Sequence, residues 1–131
     1  MTLAMNNLSV LVVDDDKDQA DALTRTLLLH GLNPRSAYSA KDAGMALRDG
    51  FRPAAVVMDL NLPRTDGYAV ARELCASLPT RPFLVALTGH SDLDCRSLRE
   101  GFDHHYVKPA DPAALAAVLR AEAVRRYAAP A

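Results

Sequence analysis

Three short segments carry apolar residues on every position: "LSVLVV" at 8–13, "AAVVM" at 54–58 and "FLVAL" at 83–87. A strand with one wet face alternates apolar and polar residues. A run of strand length with no alternation is buried on both faces, as in the centre of a covered sheet. Helical signals separate these runs. Asp16 with Gln19 three residues on predicts a helix carrying Ala20, Leu23 and Leu27 and ended by Gly31. Ser39 with Asp42 opens a second, ended near Gly50, and Asp66 caps a third with Val70, Leu74 and Leu78 on one face. Ser91 with Asp94 predicts a fourth, stopped by Gly101, and Asp111 before Pro112 starts a last one bearing Leu115, Val118 and Leu119.

The segments at 32–38 and 104–108 are predicted as weaker, more polar strands. Pro34 has no N–H for a ladder, which places the 32–38 strand at a sheet edge. Strand and helix then alternate five times. That order implies an α/β fold: a parallel sheet covered by helices on both faces through right-handed crossovers.

The 131 residues suffice for one domain with one real core, expected over 8–127, with short tails at 1–7 and 128–131. A formal charge of −1 gives no general electrostatic reason to bind nucleic acid or an anionic membrane, so neither is expected as a partner. Cys75 and Cys95 form no CxxC pair and no metal-ligand spacing, and are read as small packing residues in a reducing cytoplasm. The first residues lack a basic segment followed by a long apolar one, and no stretch has the apolar length of a membrane span, so a cytoplasmic protein is expected.

In an open parallel sheet the functional crevice lies outside the carboxyl ends of the strands, where the strand order reverses. The first strand ends in Asp14, Asp15 and Asp16, the third in Asp59, the fourth in Thr88 and Gly89, and the fifth in Lys108 and Pro109. Gathered carboxylates repel one another and raise one another's pKa unless a cation intervenes, and hard oxygen donors favour Mg²⁺. Lys108 brings one positive charge and a divalent ion would bring the rest. A metal, a lysine, a hydroxyl and a positioned carboxylate suit phosphoryl transfer, with Asp59 becoming an acyl phosphate.

"VLVVDDDKD" at 10–18, "VVMDLNLPRTDGY" at 56–68, "VALTGHS" at 85–91 and "HHYVKP" at 104–109 resemble, in order and spacing, the receiver domains of two-component response regulators. The resemblance implies a chemotaxis-regulator-like, flavodoxin-like (βα)5 fold with strand order 2-1-3-4-5. It implies direct metal ligation by Asp15, mostly water-mediated ligation by Asp14, phosphoacceptance and ligation by Asp59, and a backbone carbonyl ligand from Asn61. Thr88, Gly89 and Lys108 would hold the phosphoryl group, and Thr88 would move to meet it. Tyr106 would swing inward behind Thr88, altering the face made by helix four, strand five and helix five. The bond before Pro109 would be cis. The donor would be a phosphohistidine on a histidine kinase or a histidine phosphotransfer protein, and the chain would act as a switch, catalysing only its own phosphorylation and dephosphorylation.

Plainer readings compete at several positions. Asp16 and Asp66 are better read as helix caps than as ligands. His104 and His105 are adjacent on a strand, point to opposite faces and cannot chelate one ion, so both are expected at the surface or towards a partner. His90 lies at the mouth of the site, as a tuner of phosphate lifetime or an ordinary loop residue, and His30 fits the last turn of helix one. The chain ends soon after helix five, so no output domain is expected within it. It reads either as a stand-alone receiver or as a segment of a longer protein, such as the end of a hybrid histidine kinase. An aspartyl-phosphate phosphohydrolase of the haloacid-dehalogenase type is the alternative enzyme, but it needs an acid two residues after its nucleophile, where this chain has Asn61. A pure binding module would have no reason to keep all the acids and Lys108 together.

Overall fold

The computed structural model describes residues 8–89 and 96–127. Strands β1 (Ser9–Val13), β2 (Asn33–Ala37), β3 (Ala55–Asp59), β4 (Phe83–Thr88) and β5 (His104–Val107) alternate with helices α1 (Lys17–Leu29), α2 (Ala40–Arg48), α3 (Gly67–Ala76), α4 (Arg96–Arg99) and α5 (Pro112–Tyr127). The sheet is parallel in the order β2-β1-β3-β4-β5, as the resemblance implies. Its three continuous apolar runs are the three inner strands, and Pro34 sits on the outer strand β2, where a missing donor costs no ladder bond.

The strands split their side chains between two cores. Val10, Val12, Val57, Val85 and Leu87 pack with Leu27 of α1 and with Leu115 and Leu119 of α5. Leu11, Val13, Val56, Met58, Leu84 and Ala86 pack with Leu47 of α2 and with Val70 and Leu74 of α3. The alternation is therefore real in each strand, but both sides of the alternation are buried.

Helix starts follow the local chemistry read from the sequence. Asp16 accepts from the Gln19 N–H at 3.1 Å, Ser39 from the Asp42 N–H at 3.1 Å and Asp66 from the Tyr68 N–H at 3.0 Å. The Ala113 N–H donates to Asp111 at 3.0 Å ahead of α5. Gly31, Gly50 and Gly101 follow α1, α2 and α4 with φ of 84°, 96° and 101°, the left-handed geometry that ends a helix. The expected opening of the fourth helix at Ser91 and Asp94, together with His90 and Cys95, lies outside the described residues. Cys75 is partly buried against the α2–α3 core, and burial pushes its thiol pKa up.

Candidate phosphoacceptor site

The order reverses at β1, whose successor in sequence, β2, lies on one side and β3 on the other. Asp14 follows the last residue of β1 and Asp59 is the last residue of β3, so both carboxylates open into that crevice. Ladder bonds continue past the strand ends and fix the site's frame. The Asp14 N–H donates to the Ala37 carbonyl at 3.0 Å, the Leu60 N–H to the Leu87 carbonyl at 2.8 Å, and the Lys108 N–H to the Thr88 carbonyl at 2.7 Å. The last of these pins Lys108 beside Thr88, and the Lys108–Pro109 peptide bond that follows is cis.

Asp14 and Asp59 are each 3% exposed. Lys108 Nζ lies 3.2 Å from Asp14 Oδ2, 3.2 Å from Asp59 Oδ2 and 3.2 Å from Gln19 Oε1. The second oxygens are held by the backbone: Asp14 Oδ1 accepts from the Asp16 N–H at 3.0 Å, and Asp59 Oδ1 from the Asn61 N–H at 2.9 Å. One oxygen from each of Asp14, Asp15 and Asp59 falls within a 4.8 Å cluster, with Asp15 exposed at its mouth. Such a set of hard carboxylate donors fits a small divalent cation. At Gly89 a Cβ would stand 3.4 Å from Asn61 Nδ2.

Burial raises the pKa of Asp14; the Asp16 N–H opposes this, the Asp59 charge adds to it, and Lys108 opposes it. Burial alone would lower the pKa of Lys108, but the charges of Asp59 and Asp14, with their hydrogen bonds, outweigh it and hold the ammonium above its ordinary value. The crevice thus keeps its lysine charged while leaving an excess of negative charge.

The structure brings together Asp14, Asp15, Asp59, Asn61, Thr88, Gly89 and Lys108 at the same edge of the sheet. It does not place Tyr106 behind Thr88. Thr88, 8% exposed, shares the parity of Leu84 and Ala86 and so faces the α2–α3 core, whereas Tyr106 is paired with Leu87 and packs against the α1–α5 core. The β5 residue on Thr88's side is His105, opposite Ala86. His105, expected at the surface or towards a partner, is partly buried, and among the described residues its Nε2 is buried without a hydrogen-bond partner. Period-two counting from the β4–β5 register identifies it, and that register is absent from the sequence. His104 is exposed, and His30 donates from Nδ1 to the Thr26 carbonyl at 2.8 Å, closing α1.

Comparison with known proteins gives the same reading. The family model for the response regulator receiver domain matches residues 10–120. The transcriptional regulatory protein PrrA of Mycobacterium leprae is 38% identical over 98% of this chain and 55% of its own length. Response regulator MprA of Mycolicibacterium vanbaalenii is 36% identical over 86% of the chain and 48% of its own. The chain thus spans about half the length of these curated relatives. Among solved structures, the CheY-like receiver domain protein from Methanospirillum hungatei superposes with a TM-score of 0.79 at 23% identity, covering 92% of this chain and 96% of that one. The signal receiver domain of the DNA-binding response regulator merR from Colwellia psychrerythraea gives 0.76 at 28%, covering 88% and 98%. These relatives are named as transcriptional and DNA-binding regulators, so the expectation of no nucleic-acid partner does not fit the relatives as whole proteins. Among the described residues, no helix is long and apolar enough to cross a membrane. With its family model, its relatives and its fold in agreement, the chain belongs to the response regulator receiver domains of two-component signal transduction.

Proposed function

We propose that residues 8–127 form a phosphoacceptor switch in which Asp59 takes a phosphoryl group from a phosphohistidine on a histidine kinase or a histidine phosphotransfer protein. The observation that carries this reading is Lys108 Nζ at 3.2 Å from both Asp14 and Asp59 in the crevice between β1 and β3. In the transfer, an Asp59 carboxylate oxygen attacks phosphorus and a P–O bond forms. The P–N bond breaks, its electron pair stays on the donor imidazole, and a proton from solvent restores the neutral ring. Lys108 is placed to follow the developing charge from the carboxylate to a phosphoryl oxygen, and Thr88 and the Gly89 N–H to meet the others. Asp14, Asp15, Asp59 and the Asn61 carbonyl are the groups to hold Mg²⁺, which would supply charge neutralisation on the transferring group.

The output would be a change of the β4-α4-β5-α5 face that alters partner binding. Since His105 rather than Tyr106 shares Thr88's side of the sheet, His105 is the residue we assign to follow Thr88. The relatives' names support a setting in transcriptional control, which we place in the cytoplasm. The haloacid-dehalogenase reading finds no support: position 61 offers an amide where that chemistry needs an acid.

Intact-mass measurement after incubation with Mg²⁺ and acetyl phosphate, beside an Asp59→Asn variant, tests the reading. One phosphate added to the native protein, dependent on Mg²⁺ and absent from the variant, is expected. Labelling that survives in the variant, or a native protein that accepts phosphate neither from acetyl phosphate nor from a panel of phosphorylated histidine donors, would sink it.

A further inference from the structure

The described part of α4 is a single turn, Arg96–Arg99, and its one large apolar side chain, Leu98, is 51% exposed. That turn is tied to α3. The Arg96 guanidinium stands over the Tyr68 ring, 4.3 Å from its centroid. Glu100 receives Arg72 of α3 at 2.9 Å and Arg96 at 3.7 Å, and Tyr68 meets buried Phe102 edge-on, with centroids 5.8 Å apart.

Tyr68 is also the end of a rigid path from the acceptor. Leu60 follows Asp59 directly, and Gly67 packs so closely on it that a Cβ would stand 3.1 Å from the Leu60 Cα. The Tyr68 N–H is fixed by Asp66 at 3.0 Å. The acceptor loop and α4 are therefore joined on the α3 side, independently of Thr88 and β4.

We propose that Tyr68 and Arg96 form a latch that holds α4 in the unphosphorylated position and so sets how readily the switch turns. The proposal rests on the phosphoacceptor reading for its consequence, since a contact that favours one state opposes the ligand that selects the other. Tyr68 and Arg96 are positioning residues; neither takes part in phosphoryl transfer.

Two measurements test the latch, with Tyr68→Leu, Arg96→Gln, the double variant, and Tyr68→Phe, which keeps the ring face. The first is amide hydrogen exchange over residues 96–100 in the unphosphorylated, metal-free protein, which needs no phosphoryl chemistry. Faster exchange is expected in Tyr68→Leu and Arg96→Gln, and the native rate in Tyr68→Phe. The second is the beryllofluoride concentration that half-converts the protein with Mg²⁺, followed by NMR of the Leu98 amide. It should fall by about fivefold in each single variant, the equivalent of about 1 kcal/mol, with no further fall in the double variant and none in Tyr68→Phe. Unchanged exchange, a shift in Tyr68→Phe equal to that in Tyr68→Leu, or additive shifts in the double variant would overturn the latch. A native protein that ignores beryllofluoride would overturn the phosphoacceptor reading instead, leaving the exchange result to decide whether Tyr68 and Arg96 anchor α4.

Discussion

Asp14→Asn should make the metal-free protein more stable, although it removes an ion pair. At an effective dielectric of about 20, the 3.2 Å approach of Lys108 to Asp14 attracts by about 5 kcal/mol. Carboxylate oxygens about 4.8 Å apart, the outer limit of the cluster, repel by about 3.5 kcal/mol per pair, and Asp14 has two such neighbours in Asp15 and Asp59. Repulsion exceeds attraction by about 2 kcal/mol before screening, which weakens the share of exposed Asp15 most. Burial adds a cost of the same sign, and the raised pKa of Asp14 reflects burial first, with the Asp59 charge adding to it and the Asp16 N–H and Lys108 opposing it. An amide at this position can still accept the Asp16 N–H that organises the turn. Lys108 keeps Asp59 as a partner. Urea unfolding in chelator should therefore show a gain of about 1–2 kcal/mol at neutral pH.

Two internal checks accompany that gain. Because the folded pKa of Asp14 lies above 3.8, the folded protein binds the extra proton first, so the cost of the ionised group is present above the folded pKa and fades as pH falls through it. The advantage of the variant should shrink accordingly and be gone below about pH 3.8. Added Mg²⁺ should favour the native protein, by about 2.7 kcal/mol at a hundredfold excess over its dissociation constant, and reverse the ranking. A variant less stable than the native protein in chelator at neutral pH would refute this charge balance and show that the attraction of Lys108 outweighs both the carboxylate repulsion and the cost of burial.

Three further substitutions probe the frame around the site. Gly67→Ala should cost about 1–3 kcal/mol in urea unfolding, because its Cβ would press on the Leu60 backbone 3.1 Å away; a neutral result would mean that the loop yields. Arg64 holds φ at 58°, where a side chain is strained, so Arg64→Gly should raise stability by about 0.5–1 kcal/mol, and a lowered midpoint would show that the guanidinium makes a compensating contact. His105→Phe removes a buried nitrogen with no partner and should stabilise by about 1 kcal/mol while leaving phosphate labelling of Asp59 intact; destabilisation would show that the ring nitrogen is paired in solution.

The parts legible in the sequence were those with a local cause. A run such as "VVM" has no wet side whatever its neighbours do, Asp16 and Ser39 cap through bonds within a few residues, and Pro34 excludes an inner strand by itself. The convergence of Asp14, Asp59 and Lys108 was also legible, because in a parallel sheet all carboxyl ends lie on one edge and no register is needed to know it. Burial of Asp14 and Asp59 follows from the same geometry.

Tyr106 shows where that kind of inference stops. Which side of the sheet a β5 residue faces depends on its alignment with β4, and a slip of one residue exchanges the two sides. In the inner strands both sides are apolar, so the error would leave no trace in composition. In β5 the sequence "HHYV" offers three ring-bearing polar residues in succession, and by itself it does not say whether His105 or Tyr106 shares Thr88's side. The observed pairing of Thr88 with Val107 decides it: Val107 and His105 lie on one side and Tyr106 on the other. That the Nε2 of His105 finds no partner among the described residues is then the consequence of placing an imidazole where the local packing is apolar. A polar ring held at such a cost on Thr88's side of the sheet is what the proposed switch, with His105 following Thr88, would require.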